Sequence, residues 1–304
     1  MADPKASQTG PSQPKRVHSV RHAIARHWVG DGFPVRTLFA YSDLGALTTP
    51  FLLLDHAGPV DFAPTTERRG VGAHPHRGFE TVTIVYDGEV EHRDSAGGGG
   101  SIGPGDVQWM TAASGLVHEE FHGARFAREG GRFEMAQLWV NLPARDKRGA
   151  PRYQAIADAQ IPAVNVGSQG SDAVGRARVI AGEYFGAKGP AHTFTPLHVV
   201  DLELDGDGAL ELPSPHGWTA IVVVLKGTLR VNGTEDVGAS EAALMERDGD
   251  HIRIEGAQGA RVLLLGGEPI DEPIVGHGPF VMNTTRAIAA AIDDFRQGRM
   301  GHLA

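Results

Sequence analysis

His118-Glu119-Glu120-Phe121-His122 matches the H-E-x-x-H pattern that, on a helix, builds the zinc site of a metalloprotease. The helix is what makes that pattern work. It brings residues four apart onto one face, where both imidazoles reach the metal and the first glutamate activates its water. Here the surrounding GDVQWMTAASGLVHEEFHGARF has glycines at 105, 115 and 123, a Trp-Met-Thr run of strand character and no N-cap. Arg125 and Arg128 also stand where the extended protease motif needs Gly and His. Peptidase chemistry is not expected. As a strand, the same residues turn His118, Glu120 and His122 to one side and Glu119 and Phe121 to the other.

A matching half lies upstream in GAHPHRGFE, where His74 and His76 are also two apart and Pro75 stiffens an extended backbone between them. Two strands facing each other inside a barrel would supply three His nitrogens and one carboxylate oxygen, a set that suits Fe(II), Mn(II), Ni(II) or Zn(II). The chain has no cysteine, so thiolate zinc sites, iron–sulfur clusters and disulfides are excluded. Two carboxylates compete for the ligand position. Glu80 follows His76, and Glu120 follows His118. His122 shares the face of Glu120 but is expected behind the ligands or at the rim, since a strand rises ~3.3 Å per residue and carries it away from His118.

These residues need a β framework, and the rest of the chain supplies one. Its 41 glycines and 19 prolines punctuate 304 residues every dozen or so, with short β-branched runs between them. TVTIVYDGEVEHRD reads as a strand from Thr81 to Tyr86, an Asp87-Gly88 turn and a return strand to Asp94. WTAIVVVLKGTLRVNG (218–233) repeats that grammar, and MERDGDHIRIEG (245–256) answers IGPGDVQWM, so two similar β-domains in tandem are expected. The expected divisions are a flexible tail at 1–16, a metal-binding domain at 17–148, a polar linker at 149–165 and a second domain at 166–304. That second domain ends in an amphipathic helix carrying Ile288, Ile292 and Phe295, with Gly298 as its stop.

Basic residues number 28 against 37 acidic ones, a net charge of -9, which argues against direct binding to nucleic acid or an anionic membrane despite the locally basic PKRVHSVRHAIARH. No segment approaches the ~18 consecutive apolar residues of a membrane span, and the polar start has no apolar core, so a soluble cytoplasmic protein is expected.

HPHRGFETVTIVYDGEVEHRDS, PGDVQWMTAASGLVHEE, PFLLLDHAGPV and EPIVGHGPFVMNT together resemble the pirin family, in order and over nearly the whole chain from Val17 to Gly301. The resemblance implies an all-β fold of two tandem cupin (double-stranded β-helix) barrels with a short C-terminal helix, and one iron in the first barrel. Carried over by position, its ligands are His74, His76, His118 and Glu120, the last in preference to Glu80. The second barrel has only His216 in SPHGW and no H-x-H, so one divalent metal per chain is expected: Fe(II), with Mn, Ni or Zn as alternatives. Pirins are linked to O2-dependent ring opening of flavonols such as quercetin, for which Glu120 is the candidate base, and to regulation through a protein partner. Phe79, Trp109 and Met110 are candidates for an apolar wall around an aromatic substrate, or else barrel core.

Overall fold

The computed structural model describes residues 12–167, 174–206, 208–256 and 258–303. Two barrels are built alike, each from a seven-stranded antiparallel sheet facing a four-stranded one. In the first barrel the large sheet runs Arg152–Ile156, Val107–Thr111, Phe79–Asp87, Gly131–Asn141, Phe51–Phe62, Phe33–Ala40 and His27–Val29. The small sheet runs Gly70–His76, Leu116–His122, Val90–Asp94 and Gly99–Ile102.

The two large sheets pack back to back. Val82, Ile84, Trp109 and Leu138 of the first meet Ile180, Ile221, Val223 and Leu263 of the second in one apolar layer. This explains why TVTIV and AIVVVL read as continuous runs: strands buried on both faces have no polar face to alternate with. The Asp87-Gly88 turn forms as expected, with Gly88 at φ 90°, a conformation that favours glycine.

The sheets cut across the divisions expected from the sequence. Val17–His22 is the edge strand of the second barrel's large sheet, pairing with Glu241–Met245, while Arg152–Ile156, inside the expected linker, pairs with Val107–Thr111 of the first. The second barrel thus takes its edge strand from the start of the chain, and the first takes one from the expected linker. Of the expected flexible tail, residues 1–11 lie outside the described residues, and 12–16 are pinned. Lys15 is fully buried, its Nζ donating to the carbonyls of Arg247 (2.7 Å) and Trp218 (3.3 Å). A polar composition predicted a loose segment, but a single buried ammonium with fixed carbonyl acceptors holds it.

The terminal helix spans Thr285–Arg296, with the Thr284 side chain accepting from the Ala287 N–H as N-cap. Ile288 and Ala291 are buried, Ile292 is half-buried and Phe295 is exposed, so the apolar stripe is narrower than expected. The helix does not rest on its own half. It packs with Phe280, Met282 and Met300 against Val117 of the first barrel, and Asp294 pairs with Arg77 at 2.5 Å. Lys147, buried, ties the same segment down, its Nζ donating to Gly78 O (2.6 Å), Asn141 Oδ1 (2.6 Å) and Val281 O (3.1 Å). No helix among the described residues is long and apolar enough to cross a membrane.

Candidate metal centre

Leu116–His122 is a strand, which removes the geometry a protease needs. It lies between Gly70–His76 and Val90–Asp94 in the small sheet. His118 is therefore directly opposite His74 on one side and Asp94 on the other, with Glu120 opposite His92. The two histidine-bearing strands are hydrogen-bonded neighbours in one sheet, where the sequence suggested strands facing across the barrel. Cross-strand pairing brings side chains on one face to ~4.5–5.5 Å, close enough for one ion.

Ring centroids of His74, His76 and His118 are 4.2 to 4.9 Å apart. Their ligand atoms lie within 4.8 Å of one another, and a second set of that kind joins His118 to His92 and Glu120. The four expected residues do not fall into a single set. Glu120 is drawn across the barrel by the large sheet, its Oε1 accepting from Gln108 Nε2 at 2.5 Å, and it meets the three rings through His118.

The free nitrogens fit a metal. His74 Nδ1 donates to Gly72 O (2.9 Å) and His76 Nδ1 to Pro279 O (3.4 Å). A carbonyl can only accept, so each neutral ring keeps its Nε2 lone pair bare. His118 Nδ1 faces His92 Nδ1 at 3.2 Å, and its Nε2 is buried with no partner at all. Burial, reinforced by neighbouring imidazoles, holds His76 and His118 well below the ordinary histidine range, which favours the neutral form that a metal needs. His74 is only half-buried and marks the open side.

Strand parity turns Glu80 and Glu119 away from the histidines. Glu80 shares its strand face with Val82 and Ile84, which face the layer between the barrels, and accepts from Thr111 Oγ1 at 2.7 Å. Burial pushes its carboxyl up to about 7 against the pull of that hydrogen bond. Above the unfolded value of 4.5 the folded state holds a proton that the unfolded chain has released, so Glu80 makes stability fall as pH rises from 4.5 toward 7. Glu80→Gln is expected to keep its metal and to gain on wild type between pH 5 and pH 8, by on the order of 1–3 kcal/mol. Metal analysis and urea unfolding at the two pH values check this; loss of metal would return Glu80 to the ligand set. Glu119 points outward to Arg93 (2.9 Å) and Arg68 (3.3 Å).

His122 is not at a rim. It sits deep among Phe33, Phe62, Phe126 and Phe133, donating from Nε2 to Gly32 O at 2.9 Å. Trp109 and Met110 are barrel core, fully buried. Phe79 is buried too, but its ring is 5.1 Å from His76 and 4.3 Å from Trp139, whose half-buried indole lies 5.4 Å from His76. Sequence reasoning missed Trp139, Gln108, Tyr153, His92 and Asp94. A signal for the last two was present: Val90, His92 and Asp94 alternate with charged residues in a return strand, which points them inward.

Two cupin barrels, one carrying a histidine–carboxylate cluster, define a bicupin. The pirin profile matches residues 32–140 and that of the pirin C-terminal cupin domain matches 199–301, so the chain belongs to the pirin family. It is 56% identical over 285 residues (94% of this chain, 98% of the relative) to a Pseudomonas aeruginosa protein whose name provisionally assigns it as a quercetin 2,3-dioxygenase. Human pirin is 36% identical over 238 residues, 76% of this chain and 78% of that protein. The crystal structure of quercetin 2,3-dioxygenase from Acinetobacter baumannii superposes with a TM-score of 0.92 at 50% identity, covering 96% of this chain and all of that one.

Proposed function

We propose that this chain is a cytoplasmic dioxygenase that opens flavonols such as quercetin with O2, using one divalent metal, iron(II) in the first instance, held by His74, His76, His118 and Glu120. The observation that carries the reading is the trio of imidazoles with Nε2 left free beside an anchored carboxylate, in a chain 50% identical to a solved quercetin 2,3-dioxygenase. A metal bound there would supply Lewis acidity toward the flavonol hydroxyl and, as iron, redox chemistry with oxygen.

The protein's own part is positioning and proton transfer. Glu120 has one oxygen committed to Gln108, and Gln108 Oε1 in turn accepts from Tyr153 at 3.4 Å, so the carboxylate is oriented from behind. Its other oxygen is left to face the histidines; it would hold the metal, and only on partly letting go would it take the flavonol hydroxyl proton. Trp139 offers an aromatic face beside His76 on which a flat ring can stack.

The test is quercetin consumption by iron(II)-reconstituted protein, followed by absorbance under oxygen and under argon, with carbon monoxide measured. Oxygen-dependent loss with one carbon monoxide per flavonol is expected. Tight metal binding without any flavonol consumption would sink the enzyme reading and leave a metal-dependent regulator acting on a protein partner.

A further inference from the structure

His118 differs from the other two histidines in one respect. Their Nδ1 atoms face carbonyls, whereas His118 Nδ1 faces another imidazole nitrogen, His92 Nδ1. Between two such atoms there is one proton, and either ring can carry it. The contact alone does not say whether His118 keeps its Nε2 lone pair.

The answer lies one ring further back. His92 Nε2 is 3.2 Å from Asp94 Oδ2, and both side chains are buried. Asp94 is a fixed acceptor, because its Oδ1 takes the backbone N–H groups of Ala96 (2.8 Å) and Gly98 (2.9 Å). Facing a carboxylate, His92 must carry its proton on Nε2, which leaves Nδ1 bare. A bare Nδ1 must accept, so His118 Nδ1 carries the hydrogen and its Nε2 is left without one. That nitrogen is the buried, partnerless atom beside His74 and His76. Tyr153 stacks on His92 at 4.9 Å and 9°, which holds the ring in the plane the chain of bonds requires.

We infer that Asp94 and His92 are positioning residues that dictate the tautomer of His118 and so prepare its Nε2 to bind metal. The inference rests on the proposed role of His118 as a ligand. Its sharpest consequence concerns Asp94→Asn, which changes one atom's chemistry and almost no volume. The asparagine Oδ1 stays with the Ala96 and Gly98 N–H groups, so its Nδ2 must face His92 Nε2. Two donors cannot share that contact. His92 then moves its proton to Nδ1, and His118 must accept there and carry hydrogen on Nε2, the wrong atom for a metal.

The experiment uses the full-length chain with labelled histidines and zinc as the probe. In metal-free wild type, NMR of the ring nitrogens is expected to show His118 protonated on Nδ1, and in Asp94→Asn on Nε2. Zinc titrated against a competing chelator should bind Asp94→Asn about 10–100-fold more weakly. His92→Phe keeps a ring against Tyr153 but offers no acceptor, and should lose affinity as well. Equal zinc affinity in wild type and Asp94→Asn, or an unchanged His118 tautomer, would overturn the relay. A zinc-induced shift of His92 Nδ1 into the metal-bound range would overturn it too, by making His92 itself a ligand. Failure of wild type to bind zinc, with the expected tautomers present, would instead overturn the ligand role of His118, and the two failures are therefore distinguishable.

Discussion

His76→Ala protein is expected to hold less than about a tenth of the wild-type metal and to consume no measurable quercetin. The His76 ring is buried against Phe79, Trp139 and His118, and its Nδ1 is committed to Pro279 O, so its Nε2 is left to face the other histidines. Of the rings packed on His76, Phe79 and Trp139 carry no ligand atom that could take its place. The fold should survive, because the interior of the first barrel retains its Phe and Val packing around Phe33, Val85, Val90 and Phe133. Elemental analysis of the dialysed variant, alongside far-UV circular dichroism, decides the matter. A full metal complement in a folded His76→Ala protein would remove this histidine from the site.

Glu120→Gln should be nearly as severe, with metal affinity reduced by more than about 100-fold, beyond the 10–100-fold usual for outer partners of a ligand. The reason is orientation as well as charge. Gln108 Nε2 donates to Glu120 Oε1 at 2.5 Å, and Tyr153 steadies Gln108 through its other amide atom. A glutamine at 120 must turn its own carbonyl to Gln108, which leaves an amide NH2, a donor and no ligand, toward the histidines. Glu119→Gln is the companion variant: it breaks pairs with Arg68 and Arg93 on the outer face and should leave metal content and turnover near wild type. Chelator competition on the two variants side by side would separate them. Loss of metal in Glu119→Gln, or its retention in Glu120→Gln, would mean that strand parity has been misread.

The strand pattern was readable because alternation in HEEFH and the Asp87-Gly88 turn are local properties, set by backbone geometry. The histidines of both motifs could be found for the same reason. What could not be read was which strands become neighbours. Leu116–His122 pairs with Gly70–His76 over an intervening stretch of about forty residues, and nothing local in either says that they share a sheet. Glu80 and Glu120 look equivalent until parity against Val82 and Ile84 shows which way the former points. His122 looked like a rim residue because spacing from His118 says how far it lies along the strand but not what surrounds it. Four phenylalanines from separate segments of the chain enclose it. Trp109, offered as substrate wall or core, proves to be core because the back-to-back packing of two sheets buries a face that a lone barrel would expose.

The crossing of Val17–His22 to the second barrel, and the return of residues 275–303 to the first, bear on how the protein is made. His76 receives its Nδ1 acceptor from Pro279, which is 203 residues later in the chain. On a ribosome adding roughly 5–20 residues per second, that separation is a delay of roughly 10–40 s. Until the C-terminal segment emerges, the first barrel also lacks the carbonyl of Val281 for Lys147 and the apolar cover over Val117. A chain that stops short of residues 275–303 therefore carries its histidines without their full framework. The two barrels are therefore expected to fold as one unit, since removal of residues 275–303 takes away the Pro279 acceptor of His76 and the Val281 acceptor of Lys147.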